Sequence, residues 1–262
     1  MTDQLKGRTA LVTGASRGIG RAVALALAAE QVTTVLVARS EPELEETARL
    51  VRDAGGHAVA LPADLSDAGQ REELARRAIE VGAELAGERS GGVDILVNNA
   101  AVAWPVGPSA AVSPAEWSAA LELNVTAPAT LTFALFPAML ERGWGRVVNV
   151  SSGVVARPGF MVGGNAYTTG KSALEAHTVN LAAELAGSGV TANVFRPGTV
   201  DTAMQAWIRG QPAEEVGAVL HDYFTGLHEQ GALITPEASA RSLVARLGGD
   251  ATGQIWDVHD PL

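Results

Sequence analysis

Short runs that are apolar on both alternating faces (ALVT, TVLVA, DILVNN, RVVNVSS, TANVF) recur along this chain, separated by longer Ala- and Leu-rich segments of helical period. A strand that is apolar on both sides must be covered above and below, which a parallel sheet with helices on both faces provides. The strands are expected at 9–13, 33–38, 58–62, 93–98, 146–151 and 190–195, with a last one at 253–258. Helices are expected at 18–29, 42–54, 67–87, 114–140 and 165–186. The fold class is therefore α/β: a doubly wound parallel sheet of about seven strands in a single domain spanning 1–262. With 262 residues, 47% of them hydrophobic, there is material for one large core. Residues 201–235 break the rhythm, being helical in pattern with no strand on either side; they read as a substrate-covering segment or as a plain surface hairpin of helices.

Charge and composition remove several function classes. The net charge of -10 and the lack of any basic run leave no electrostatic footprint for nucleic acid. Cysteine is absent, so disulfides and thiolate metal sites are excluded, and the five histidines fall at no metal-ligand spacing; no metal is expected. Residues 1–8 are polar, and no uninterrupted apolar run reaches the roughly 18 residues of a membrane span. A cytoplasmic protein that does not contact membrane is expected.

Directly after the first strand come Thr13, Gly14, Ala15, Ser16, Arg17, Gly18, Ile19 and Gly20. Glycines in a turn between strand and helix allow tight reversal, close approach of backbone to a diphosphate and close helix-to-strand packing. The following helix N-terminus offers free N–H groups and a positive dipole end. This is a dinucleotide site of Rossmann type, with Gly14, Ser16, Arg17, Gly18, Ile19 and Gly20 around the phosphates. In such sites an acidic residue after the second strand grips a ribose 2′-hydroxyl, whereas an arginine accommodates a 2′-phosphate. Here the second strand runs into Arg39 and Ser40, and Arg17 lies on the same side, so NADP(H) is expected over NAD(H). The competing reading leaves Arg39 in solvent and gives the ribose to Glu41.

The ordered set Thr13 to Gly20, Asp64-Leu65, Asn98-Asn99-Ala100, Asn124, Ser151-Ser152, Tyr167-x3-Lys171 and Pro197-Gly198 closely resembles the short-chain dehydrogenase/reductase family over nearly the whole chain. The resemblance implies that Asp64 and Leu65 flank the adenine and that Asn98 and Ala100 lie at its ribose. It also puts Pro197, Gly198, Val200 and Thr202 at the nicotinamide, and gives Asn124 a place in a proton relay. The implied activity is interconversion of a ketone and a secondary alcohol by an NADP(H)-dependent enzyme.

The chemistry has its own logic. Hydride delivered to a ketone leaves an alkoxide that needs a proton, and a phenol with a pKa near 10 supplies one poorly unless that value is lowered. Lys171, one turn after Tyr167 on the same helix face, would favour the phenolate by Coulomb attraction and anchor the nicotinamide ribose. The chain has only two lysines and two tyrosines, which makes this pair pointed. Ser152 would donate to the carbonyl oxygen. Asn124 lies within the 114–140 helix, where Asn is unfavourable, and a kink there would free a backbone carbonyl for a water near Lys171.

Two stretches depart from the family pattern. The segment between Ser152 and Tyr167 is about two residues longer, and the C-terminus lacks the usual acidic-glycine-glycine close. Val154, Phe160, Met161, Trp104, Trp207 and Tyr223 are candidate pocket residues and suggest a small, apolar carbonyl or alcohol substrate. The rival readings are a 3-oxoacyl-carrier-protein reductase, disfavoured by Ser188 and by the acidic chain, and a non-catalytic NADP(H)-sensing protein. The long Ala-rich helices could pair across a two-fold, so a homodimer or homotetramer is expected.

Overall fold

A computed structural model describes residues 4–85 and 92–261. Seven parallel strands form one sheet: β1 (Thr9–Thr13), β2 (Thr33–Ala38), β3 (Ala58–Pro62), β4 (Ile95–Asn98), β5 (Gly145–Val150), β6 (Val190–Arg196) and β7 (Ile255–Asp257). Their order is β3-β2-β1-β4-β5-β6-β7, so the direction of winding reverses between β1 and β4. Such a reversal opens a crevice at the carboxyl ends of the central strands, where ligands bind in open α/β sheets.

Alternation along the strands sorts side chains into two cores. On one face Ala10, Val12, Leu36, Ile95 and Val148 pack against α1 (Gly18–Ala29) and α2 (Glu41–Asp53). On the other, Leu11, Val35, Val37, Leu96 and Val147 pack against α3 (Ala68–Leu85), α5 (Ala127–Arg142) and α6 (Asn165–Glu184). Strand ends shift by a residue or two from those expected, and residues 86 and 87 of the expected third helix lie outside the described residues.

Two differences are larger. The expected 114–140 helix is divided: α4 (Pro114–Leu121) leads into a π-helical turn (Glu122–Thr126) before α5 begins. Asn124, unfavourable in regular helix, sits in that wider turn, a device common at functional sites. Residues 114–142 are long and apolar enough by length and composition to cross a membrane. Leu131, Leu135 and Met139 are instead buried in the core beneath the sheet. The second difference is a helix that the sequence pattern did not announce, α10 (Pro236–Val244). It starts at Thr235, whose Oγ1 accepts from Ala238 N, and its Ala240, Leu243 and Val244 join the core of α1. Its short apolar stripe is diluted by Ser239, Arg241 and Ser242, which hid the period.

The 201–235 segment forms α7 (Ala203–Arg209), a single turn α8 (Ala213–Val216) and α9 (Ala218–Glu229). Gly217, at φ +83°, separates α8 from α9. Ile208, Val216, Leu220 and Phe224 gather with Met161 and Tyr167 into a small third core over the carboxyl edge of the sheet.

Beneath that edge runs a buried polar chain. Asn98 Nδ2 donates to Asn149 Oδ1 at 2.8 Å, and Asn149 Nδ2 donates to Thr178 Oγ1 at 2.8 Å, linking β4, β5 and α6. Truncating the middle member leaves Asn98 Nδ2 only its longer 3.4 Å bonds to Pro128 O and Thr132 Oγ1 and removes the donor to Thr178 Oγ1, and each buried group left poorly satisfied costs about 1–3 kcal/mol. Asn149→Ala is expected to lower unfolding free energy by about 2–4 kcal/mol, read as a lower urea midpoint at unchanged m value.

Candidate active site

A cleft of about 980 Å³ runs along the carboxyl ends of the strands, from Arg39 and Asp64 at one end to Trp207 and Tyr223 at the other. Its floor at the β1–α1 turn is set by hydrogen bonds. Thr13 Oγ1 accepts from Asn99 N at 2.9 Å and from Ala100 N at 3.0 Å, while Asn99 Nδ2 donates to Thr13 O at 3.0 Å, pinning the ends of β1 and β4 together. Gly14 has φ +66°, and a Cβ there would lie 2.8 Å from Asn99 Nδ2. At Gly20 a Cβ would lie 2.2 Å from Gly14 O, so the third glycine is required by packing of helix on turn.

The first turn of α1 is preceded by Arg17 with no side-chain cap, so its amides are free for an anion. Gly14, Ser16, Arg17, Gly18 and Ile19 line the cleft there, with Thr202 leaning over Gly18. Arg17 and Arg39 are exposed, and neither guanidinium makes a hydrogen bond or ion pair to the described residues. Asp64 lines the cleft near Arg39; burial pushes its carboxyl up, but hydrogen bonds from Ser66 and the charge of Arg39 hold it below its ordinary value. Leu65, Ala100, Pro197, Gly198 and Val200 complete the walls of this half.

Three residues expected around the cofactor sit elsewhere. Asn98 is a correction: it is 2% exposed and faces α5 and Asn149, because in β4 its side chain shares the face of Leu96. Asn99, one residue past the strand, lines the cleft in its place. Ser40 is not in the cleft wall; it stands at the N-cap of α2. Gly20 lies behind the turn rather than in the cleft.

At the far wall β5 ends in Val150, Ser151 and Ser152, and α6 crosses above them. Lys171 is 2% exposed, and its Nζ donates to Val150 O at 2.7 Å. The same nitrogen lies 5.9 Å from the Tyr167 ring centroid. Both Tyr167 and Lys171 line the cleft, as does Ser152. Burial pushes the Tyr167 phenol above its ordinary value, and a hydrogen bond with Ser152 works against that. The Coulomb lowering by Lys171 expected from the helix spacing is not among these causes; burial and Ser152 set the direction. Burial likewise pushes Lys171 down to about 8, opposed by the charge of Glu175.

Asn124 does not reach the cleft. It is fully buried, and its amide clamps Val102, accepting from Val102 N and donating to Val102 O at 2.9 Å each. Its Cβ lies 3.3 Å from where a Cβ on Gly170 would stand, so the π turn packs on α6 one residue before Lys171.

The six pocket candidates, Trp104, Val154, Phe160, Met161, Trp207 and Tyr223, all line the outer half of the cleft. The longer segment after Ser152 makes two short 3-10 turns, Gly153–Ala156 and Pro158–Phe160. Phe160 then meets Tyr223 edge-on at 5.3 Å, and Gly163 approaches α8 so closely that a Cβ would lie 2.1 Å from Glu215 O. Residues that the sequence reading did not single out here include Arg157, Met204, Phe224 and His259. Arg157 and His259 stand outside any periodic pattern, so only the fold brings them in.

Burial of the lysine has a thermodynamic sign. Its folded pKa lies below the unfolded value, so the unfolded chain binds more protons between about 8 and 10.5, and stability rises with pH across that window. At neutral pH the charged form costs about 3 kcal/mol by that shift. Lys171→Met is expected to raise the stability of the cofactor-free protein at pH 7 by about 2 kcal/mol, after allowing for the orphaned Val150 carbonyl. The gap should close between pH 8 and 10.5 in denaturation curves; a variant less stable than the parent at pH 7 would contradict it.

Residues 8–213 match the model of the short chain dehydrogenase family. Ketoacyl reductase HetN of a Nostoc species is 38% identical over 209 residues, covering 77% of this chain and 69% of that protein. A putative NAD(P)-dependent gluconate 5-dehydrogenase of Beutenbergia cavernae, solved with bound NADP, superposes with a TM-score of 0.82 at 34% identity, covering 97% of this chain and 96% of that one. A variant of actinorhodin polyketide ketoreductase with NADPH superposes with a TM-score of 0.81 at 32% identity over 98% and 97% of the two chains.

Proposed function

The chain belongs to the short-chain dehydrogenase family, and from that membership we propose that its cleft reduces a small, largely apolar ketone, or oxidises the matching secondary alcohol, with Tyr167 as the proton-transferring group. It is an oxidoreductase that interconverts a carbonyl compound and an alcohol, and its cofactor is NADP(H). The observation that carries the proposal is that Ser152, Tyr167 and Lys171 share one wall of a cleft whose other end is the glycine turn.

The cofactor fits these residues. Uncapped amides of α1 suit the diphosphate, the absent side chains of Gly14 and Gly18 leave room for it, and the exposed guanidinium of Arg39 suits a 2′-phosphate. Asp64, Leu65 and Ala100 are proposed to hold the adenosine end, and Pro197, Gly198, Val200 and Thr202 the nicotinamide end. When bound, NADP(H) supplies or takes up the hydride. Ser152 Oγ donates to the substrate carbonyl oxygen, and Tyr167 Oη gives that oxygen its proton. Lys171, anchored on Val150 O, brings positive charge to the phenol and to the ribose. Asn124 acts through shape, holding Val102 and the π turn against α6.

Trp104, Phe160, Met161 and Trp207 favour an apolar substrate, and the 201–235 segment covers it within one catalytic domain. Phe133 and Val179, exposed on α5 and α6, support pairing of copies into a dimer or tetramer. The acidic, cysteine-free composition supports a cytoplasmic setting.

Tyr167→Phe is expected to bind NADPH normally while ketone reduction, followed as loss of reduced nicotinamide absorbance, falls about a thousandfold, within the usual reach of general acid catalysis. Equal turnover would overturn the mechanism. Arg39→Asp is expected to shift the NADPH-over-NADH ratio of kcat/KM by about a hundredfold toward NADH, since hydrogen bonds to charged groups are worth about 1.5–3 kcal/mol. An unmoved ratio would return the ribose to Glu41.

A further inference from the structure

Behind Lys171 lies a charged group that the chemistry above leaves unused. Glu175, one turn further along α6, is only 5% exposed. Its Oε1 accepts from Ser151 Oγ at 2.7 Å and from Arg196 Nε at 2.8 Å, and its Oε2 accepts from Arg196 Nη2 at 2.7 Å. The carboxylate is thus held bidentately by the last residue of β6 and tied to the residue that follows β5. Ser151 in turn stands between Val150, whose carbonyl holds Lys171, and Ser152, which bonds Tyr167. The carboxylate and guanidinium therefore form an ion pair with little exposure, one helical turn along α6 from the buried ammonium. Charges there interact through a low effective dielectric.

The groups around the ammonium come from every packed element. α6 supplies Tyr167 and Glu175. The β5 end supplies the Val150 carbonyl, Ser151 and Ser152; the π turn packs on α6 at Gly170 through Asn124 and Val125, and its acid, Glu122, is paired with Arg71. β6 supplies Arg196, whose own charge is favoured by Glu175 and, from β7, by Asp257. His259 lines the same cleft.

We propose that Glu175 is a positioning residue for the reaction: its buried carboxylate is the counter-ion that keeps the Lys171 ammonium charged, and Arg196, by sharing that carboxylate, limits the effect. The proposal rests on the reading of Tyr167 and Lys171 as the proton-handling pair. Desolvation alone drives a buried lysine toward its neutral form, and Glu175 is the charge that opposes it here. Removing the carboxylate takes away the charge that favours the ammonium and leaves the Arg196 guanidinium without its partner. Removing the guanidinium leaves the whole of Glu175's charge acting on Lys171. The two losses therefore act in opposite directions, which a purely structural clamp would not do.

The test uses the enzyme saturated with NADPH and follows kcat/KM for ketone reduction against pH. Glu175→Gln keeps the side-chain shape and is expected to move the alkaline limb down by about one pH unit, a tenfold change in proton affinity. Arg196→Gln is expected to move it up, and the double variant should return to within about half a unit of the parent. Both limbs unmoved, or both moved the same way, overturns the proposal. If thermal melting shows Glu175→Gln unfolded, Arg196→Gln decides alone: an unmoved limb overturns it, an upward shift supports it. A parental limb that persists in Lys171→Met would sink the underlying reading of Lys171 and this inference with it, whereas failure of the Glu175 and Arg196 variants alone leaves that reading standing.

Discussion

The hydrogen bond from Lys171 Nζ to Val150 O fixes the height at which α6 crosses the sheet, and the rest of the site follows from that height. An ammonium with 2% exposure has given up its hydration and must find acceptors within the protein. The carbonyl of the last β5 residue provides one because it stands at the strand's carboxyl end, beside the crevice. With the lysine seated there, Tyr167, one helical turn earlier, comes within reach of Ser152, just past the same strand end. A spacing of four on a helix and a strand that stops at Val150 are thus two halves of one geometric requirement.

The site is stabilised by polar interiors that cost stability elsewhere. Asn98, Asn149 and Thr178 form a hydrogen-bonded chain under the cleft, and Glu175 with Arg196 and Ser151 forms an ionic one beside it. Buried polar groups of this kind add less to stability than apolar packing of the same volume, but satisfied ones specify a single arrangement. Here they join the ends of β4, β5 and β6 to α6. The apolar cores on the two faces of the sheet carry the stability, and the carboxyl edge carries the polar cost of function.

Much of this could be read from residue order. Doubly apolar strands required a covered parallel sheet, and the glycine turn located one end of the cleft, because both signals are local. Period-two alternation in β4 would have turned Asn98 inward with Leu96 and left Asn99 for the cleft, had it been applied to the strand's last residue. Glu175 also carried a signal: it falls on the buried stripe of α6 with Lys171, Thr178 and Ala182, where an unpaired acid is improbable. Helix α10 left no such trace, since three polar residues interrupt its short stripe. The break at Gly217 was equally hidden, because it depends on the close approach of Val162 to that glycine from a distant loop.

The sequence by itself determined the layer order, the place of the glycine turn after β1 and the serine, tyrosine and lysine that line the far wall of the cleft, because each depends on local periodicity or on residue chemistry at fixed spacing. Tertiary structure alone decided the electrostatic state of those groups. The sequence suggested a phenol eased by a neighbouring ammonium; the folded protein raises the phenol and depresses the lysine, since burial removes both from water and is opposed by Ser152 at the phenol and Glu175 at the lysine. Desolvation is a property of the whole packed assembly, contributed by every element that covers the pair, and no spacing along one helix encodes it.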